Sequence, residues 1–172
     1  MAILTIIEAP DPQLRIISKS VDVVCDEVRT LMDDMLATMY NAPGIGLAAI
    51  QVGVAKRIIV LDISDDEDKP QPRYFINPEI IWKSEEMTTY KEGCLSVPEQ
   101  YADIDRHAQC KVKHLDYDGI EQVLEADGLL SICIQHELDH LEGVLFIDYL
   151  SGLKRNMIVK KLTKAQKAKA TL

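Results

Sequence analysis

From Val28 onward apolar residues fall at Val28, Leu31, Met32, Met35, Leu36 and Met39, the i, i+3, i+4 rhythm of a helix that buries one face. Pro43 and Gly44 set its end, because neither residue continues a helix well. Beyond them the period changes. KRIIVLDI from Lys56, RYFINPEIIW from Arg73 and QCKVKHLDYDGIEQVLEADG from Gln109 are rich in β-branched and aromatic residues and predict strands. In the last of these, Asp118-Gly119 separates two alternating stretches and signals a hairpin. The acidic segment SDDEDKPQP, Ser64 to Pro72, is expected as an exposed loop and not as a domain linker.

The run LLSICIQHELDHLEG opens after Asp127-Gly128, where a cap is expected, and closes at Gly143, where a helix would turn out of its last carbonyls. Its apolar residues at 129, 130, 132, 133, 134, 138 and 141 cover much of its surface, which predicts a buried central helix. A final helix from about Ser151 is expected to turn Leu153, Met157, Ile158 and Leu162 inward and its lysines outward. Strands first, then a core helix and a terminal helix, with no βαβ alternation and no internal repeat, predict an α+β fold: antiparallel sheets around a central helix.

Composition narrows the class without changing that picture. The 172 residues, 47% hydrophobic and 27% charged, suit one domain spanning 1–172 with a substantial core. The start, MAILTIIEAPDP, lacks a basic n-region and a long apolar run, and no stretch reaches the ~18 apolar residues that span a membrane, so a cytoplasmic protein without membrane contact is expected. Cys25, Cys94, Cys110 and Cys133 form no CxxC pair and read as thiols. Charge is uneven: the first 150 residues carry −16 and the last 22 carry +7. The acidic body argues against general nucleic-acid affinity, whereas the basic end, 148–172, could touch an anionic partner or simply be a solvated helix face.

The chemistry concentrates in QHELDH. On a helix, His136 and His140 share one face about 5–6 Å apart, so both imidazoles can converge on one ion. Glu137 projects beside them, within reach of water at that ion. A further ligand must come from elsewhere. The metzincin pattern, which adds G-x-x-H, matches as far as Gly143 and then fails at Phe146. Cys94, Cys133, Asp148, His107 and His114 remain. Cys133 lies about 10 Å along the helix axis from His140, too far for one ion bound at about 2.0–2.3 Å, and is expected to line the pocket instead. Asp148 follows His140 by only eight residues, on an unfavourable turn. Cys94, in EGCLSVP, is the stronger candidate: a soft ligand presented from a constrained loop.

A further segment, NAPGIGLAAIQVG from Asn41, lacks the GK[ST] ending of a phosphate loop. Its small residues are expected to let backbone pass close to a ligand, with the Gln51 amide nearby.

Taken together, GIGLAAIQ, EGCLS and QHELDH, in this order and spacing, resemble the three signature motifs of the bacterial peptide deformylases, a likeness that extends over nearly the whole chain. One departure is Tyr101, which stands where some relatives carry a basic side chain. The resemblance implies hydrolytic removal of the formyl group from N-formylmethionine of new proteins. It implies an ion held by Cys94, His136 and His140, usually Fe²⁺, with Zn²⁺, Ni²⁺ or Co²⁺ able to substitute. It further implies Glu137 as general base and then acid, and Gln51 with the Leu95 backbone N–H as oxyanion donors. Nascent peptide is expected to add as a strand along Ile45-Gly46 and near Gly93, its methionine entering a pocket of Ile45, Leu129, Ile132 and Cys133. A monomer is the default, and the basic terminal helix is a candidate for ribosome contact.

Overall fold

The computed structural model describes residues 1–171. In chain order its main elements are α1 (Asp26–Asn41), β1 (Gly46–Ala48), β2 (Ile58–Leu61), β3 (Arg73–Lys83), β4 (Met87–Cys94), β5 (Val97–His107), β6 (Gln109–Leu115), β7 (Glu121–Asp127), α2 (Gly128–Leu141) and α3 (Gly152–Ala170). Five strands form one antiparallel sheet in the order β1-β2-β3-β6-β7, and β4 pairs with β5 in a separate two-stranded sheet. The expected α+β class is observed.

Why Ile58–Leu61 is apolar without alternation follows from what covers it. Ile58 and Val60 point to one face, packed with Met32, Met35 and Met39 of α1; Ile59 and Leu61 point to the other, packed with Cys133, Ile134 and Leu141 of α2. A strand covered on both faces buries every side chain. Farther out the cover ends, and β6 alternates: Cys110, Val112 and His114 are buried, Lys111 and Lys113 are not. The hairpin at Asp118-Gly119 is observed, with the N–H of Gly119 donating to Asp116 O and the N–H of Asp116 to Ile120 O, both at 2.9 Å. The segment Ser64–Pro72 is a largely exposed loop that joins the paired strands β2 and β3.

Three expectations need correction. Residues 87–107 form a long hairpin where only a constrained loop around Cys94 was foreseen. Its strands are largely polar, because much of their surface faces solvent, so they lack a hydrophobic period. Leu153 and Met157 are 74% and 51% exposed, so α3 turns only Leu162 fully inward, with Ile158 packed beside it. The helix touches the body along one narrow stripe, which the apolar positions alone overstate. Asp127 occupies the N-cap position of α2, but its side chain makes no capping hydrogen bond.

The C-terminal end of α2 is closed by Gly143. Its φ of +73° lies in the left-handed region, and the N–H groups of Gly143 and Val144 return to His140 O (3.1 Å) and Asp139 O (2.9 Å). A Cβ here would lie 2.6 Å from Arg15 O, while Arg15 donates to Gly143 O at 2.9 Å and pairs with Asp148 at 2.6 Å. The left-handed backbone alone makes Gly143→Ala cost about 1–2 kcal/mol. For a chain of this size that lowers Tm by about 2–8 °C, and displacement of Arg15 adds to it. A thermal scan showing an unchanged Tm would contradict this account of the helix end.

Candidate metal centre

The helix α2 delivers His136, Glu137 and His140 into the interior: all three are buried, and the two imidazole rings lie 5.0 Å apart. Cys94 arrives from the other sheet. It ends β4, faces Val97 across the two-residue turn Leu95-Ser96, and follows a bulge after Glu92. Bulges bend a strand and re-aim its side chains. Here Glu92 and Cys94 both turn towards α2, because Glu92 meets His136 and Cys94 meets His140. Cys94 Sγ is 3.4 Å from His140 Nε2, and one donor atom from each of Cys94, His136 and His140 lies within 4.8 Å of the others.

Those distances fit an ion. Two ligands on a tetrahedral centre with bonds of about 2.0–2.3 Å sit roughly 3.3–3.8 Å apart, which the Cys94–His140 pair already satisfies. Orientation is fixed from behind: His136 Nδ1 donates to Glu92 Oε1 at 2.8 Å, leaving Nε2 as the free donor atom. Burial first, then the positive groups His136, Arg106 and Arg15, hold His140 well below its ordinary pKa, hence neutral with a lone pair to give. Burial opposes protonation of His136 too, yet its bonds to Cys94 and Glu92 outweigh that and raise its pKa well above normal.

Glu92 is itself braced. Arg106, 4% exposed, grips it with two hydrogen bonds of 2.8 Å from Nε and Nη2, and spends Nη1 on Asp139 at 2.7 Å. Tyr149 also donates to Asp139, at 2.8 Å. No residue of this network was singled out from the sequence. Glu92 and Arg106 sit in strands that read as polar surface, and only the pairing of the hairpin with α2 shows them to be interior.

Around the cluster lies a cleft of about 610 Å³. Glu137 borders it, and its Oε2 is buried without a hydrogen-bond partner among the described residues. Burial pushes its pKa up to about 7, against the pull of His136. Gly46 lies so close that a Cβ on it would be 2.6 Å from Glu137 Oε1, which is why this position has no side chain. The Gln51 side chain is fixed through Oε1, which accepts from the Ala48 N–H at 2.9 Å; its Nε2 donates to Ser96 Oγ at 3.0 Å and faces Cys94 Sγ at 3.6 Å. Ile45, Gly93, Leu95, Ile132 and Cys133 also border the cleft, and Tyr101 stands at Gly93 with 63% exposure.

Four named candidates lie elsewhere. Leu129 does not border the cleft but packs on the core between α2 and the five-stranded sheet, one turn too early on the helix. Asp148 is taken by Arg15, His107 Nδ1 meets Ser84 O at 2.7 Å, and the His114 ring packs on Phe75 at 4.5 Å. Cys133 borders the cleft without joining the donor cluster, and burial pushes its thiol up to about 12.

Removing Glu92 strands Arg106 in the interior and frees the His136 ring. Glu92→Ala is therefore expected to lose about 3–5 kcal/mol in urea unfolding and to weaken Co²⁺ affinity by about 10–100-fold in a competitive titration; unchanged affinity would show that His136 needs no brace.

Comparison with known proteins agrees with the geometry. The polypeptide deformylase family profile matches residues 3–156. A peptide deformylase of Pelagibacter ubique is 64% identical, over 95% of each chain. Among solved structures, the Ehrlichia chaffeensis peptide deformylase in complex with actinonin is 43% identical with a TM-score of 0.91, covering 96% of this chain and 98% of that one. One from Legionella pneumophila is 43% identical, also at 0.91, covering 98% of both chains.

Proposed function

Because this chain belongs to the polypeptide deformylase family, metal-dependent hydrolases that remove the formyl group from the N-terminus of new proteins, we propose that Cys94, His136 and His140 hold its catalytic ion and that Glu137 moves the proton. The observation that carries this is the buried donor cluster with an unpartnered carboxylate oxygen beside it. The substrate bond is the formamide of N-formylmethionine on nascent peptides.

When bound, the ion supplies Lewis acidity and makes hydroxide available from water near neutral pH. Glu137 Oε2 accepts the proton of the attacking water and hands it to the departing amine. A pKa raised by burial suits a group that must take and release a proton at neutral pH. Gln51 Nε2, held by the Ala48 contact on its other end, and the Leu95 N–H donate to the oxygen that gains charge. Peptide adds along the free edge of β1, the terminal strand of its sheet, at Ile45-Gly46, with Gly93 across the cleft. Ile45, Ile132 and Cys133 receive the methionine side chain; Leu129 serves only as support behind them.

The ion proposed is Fe²⁺, with Zn²⁺, Ni²⁺ or Co²⁺ able to replace it, since a thiolate with two imidazoles suits both iron and zinc. The chain 1–172 acts as one catalytic domain and as a monomer in the cytoplasm, where nascent chains begin. No helix among the described residues is long and apolar enough to cross a membrane.

An anaerobic preparation assayed on a formyl-Met peptide tests the assignment. Glu137→Gln keeps the ion and loses turnover, Cys94→Ala loses the ion, and Gln51→Ala lowers kcat by about 10²–10³. Full activity of Glu137→Gln would sink the proton-transfer role.

The basic helix α3 is proposed to touch ribosomal RNA. In its favour, it carries seven basic side chains and no acid, and among the described residues only Lys169 lies within 4.0 Å of a carboxylate, Glu8. Replacing the exposed Lys160, Lys161 and Lys164 by Gln should weaken ribosome binding and flatten its salt dependence by about three phosphate contacts; unchanged binding at low salt would remove this contact.

A further inference from the structure

Away from the ion cluster, Asp62 is a buried carboxylate with no cation on it. It directly follows β2, is 6% exposed, and takes part in none of the ion pairs of the described residues. Four neutral donors surround it instead. Ser64 N–H (2.9 Å) and Ser64 Oγ (2.6 Å) donate to Oδ1, and Gln71 N–H (3.0 Å) and Tyr40 Oη (2.5 Å) donate to Oδ2. Burial alone would raise its pKa, but these bonds outweigh it and hold the carboxyl below its ordinary value, so it is charged at neutral pH.

The donors fall into two groups with different consequences. Ser64 and Gln71 close the acidic loop locally. Tyr40 comes from the last turn of α1, and the backbone N–H of the same Asp62 donates to Ile45 O at 2.9 Å. Between Tyr40 and Ile45 runs the segment Asn41–Gly44, of which Ala42, Pro43 and Gly44 form one rim of the cleft. Both ends of that rim are thus anchored on one residue, and the rim leads straight into β1. An added strand needs its hydrogen-bonding groups at a spacing of about 3.3 Å per residue, so a shifted rim harms each successive residue of a docked peptide.

We propose that Asp62, clamped by Tyr40, is a positioning residue that fixes the rim Asn41–Gly44 and the edge of β1 for the peptide downstream of formylmethionine. The role rests on the reading that peptide docks along β1. It touches neither the formyl group nor the ion cluster, so it should govern affinity for longer substrates and leave the chemical step alone.

The test compares a formyl-Met-Ala-Ser tripeptide with formyl-methionine amide, using metal-loaded protein. Tyr40→Phe is expected to raise KM for the tripeptide about tenfold, through loss of a charge-assisted bond. Its kcat, its metal content and its KM for the amide should stay within about twofold of wild type. Ser64→Ala, which removes a bond on the loop side only, should leave both KM values unchanged. Equal KM effects from Tyr40→Phe and Ser64→Ala, or equal effects of Tyr40→Phe on both substrates, would overturn the positioning role and leave Asp62 a structural group. A wild-type enzyme indifferent to N-methylation of the peptide bond after methionine would overturn docking along β1, and this role with it.

Discussion

The interior ion pair between Arg106 and Glu92 is what the rest of the site depends on. Glu92 comes from β4, Arg106 from β5, and their remaining partners, His136 and Asp139, from α2. A charge buried without a partner is strongly destabilising, so each of these groups is tolerable only where the others are. The pair therefore clamps the two-stranded sheet onto the helix in one register. Cys94, two residues beyond Glu92, reaches His140 because that register is set. The sulfur donor and the two imidazoles come together as a result of a salt bridge that includes none of them and touches only His136.

How much of this was legible in the amino-acid order depends on how local the determinant is. The helix α2 was, since its apolar coverage and its His136-Glu137-x-x-His140 spacing sit within fourteen residues. So was the β6–β7 hairpin, announced by Asp118-Gly119. The β4–β5 hairpin was not, because Lys91, Asp103 and Asp105 face water and leave no apolar period to read. For the same reason Glu92 and Arg106 looked like surface charges. Leu153 and Met157 misled in the opposite direction: helical spacing marked them as interior, but α3 has neighbours along one stripe only. Leu129 likewise shares a stripe with Cys133 but sits beyond the end of the cleft.

The doubly covered sheet explains the contrast between a rigid centre and an open margin. Met32, Met35 and Met39 seal one face of β2 and the helix α2 seals the other, so the strand that carries β1 cannot shift without disturbing two cores. β1 itself is three residues long and terminal. Such an edge invites another chain, and its shortness is one way to limit that invitation to a single short peptide.

The N-terminal strap runs against the β4–β5 turn and the end of α2: the Ala9 N–H donates to Ser96 O, the Ser18 N–H to Leu141 O, and Arg15 reaches Gly143 O and Asp148. These contacts join positions more than 80 and more than 120 residues apart, and those to Leu141, Gly143 and Asp148 can close only once α2 has been made. During synthesis from the N-terminus, Cys94 is made before either histidine of α2 exists. The donor cluster needs both Cys94 and histidines that follow it by 42 and 46 positions, so a copy of this deformylase still being made cannot assemble its own ion site until α2 has been added.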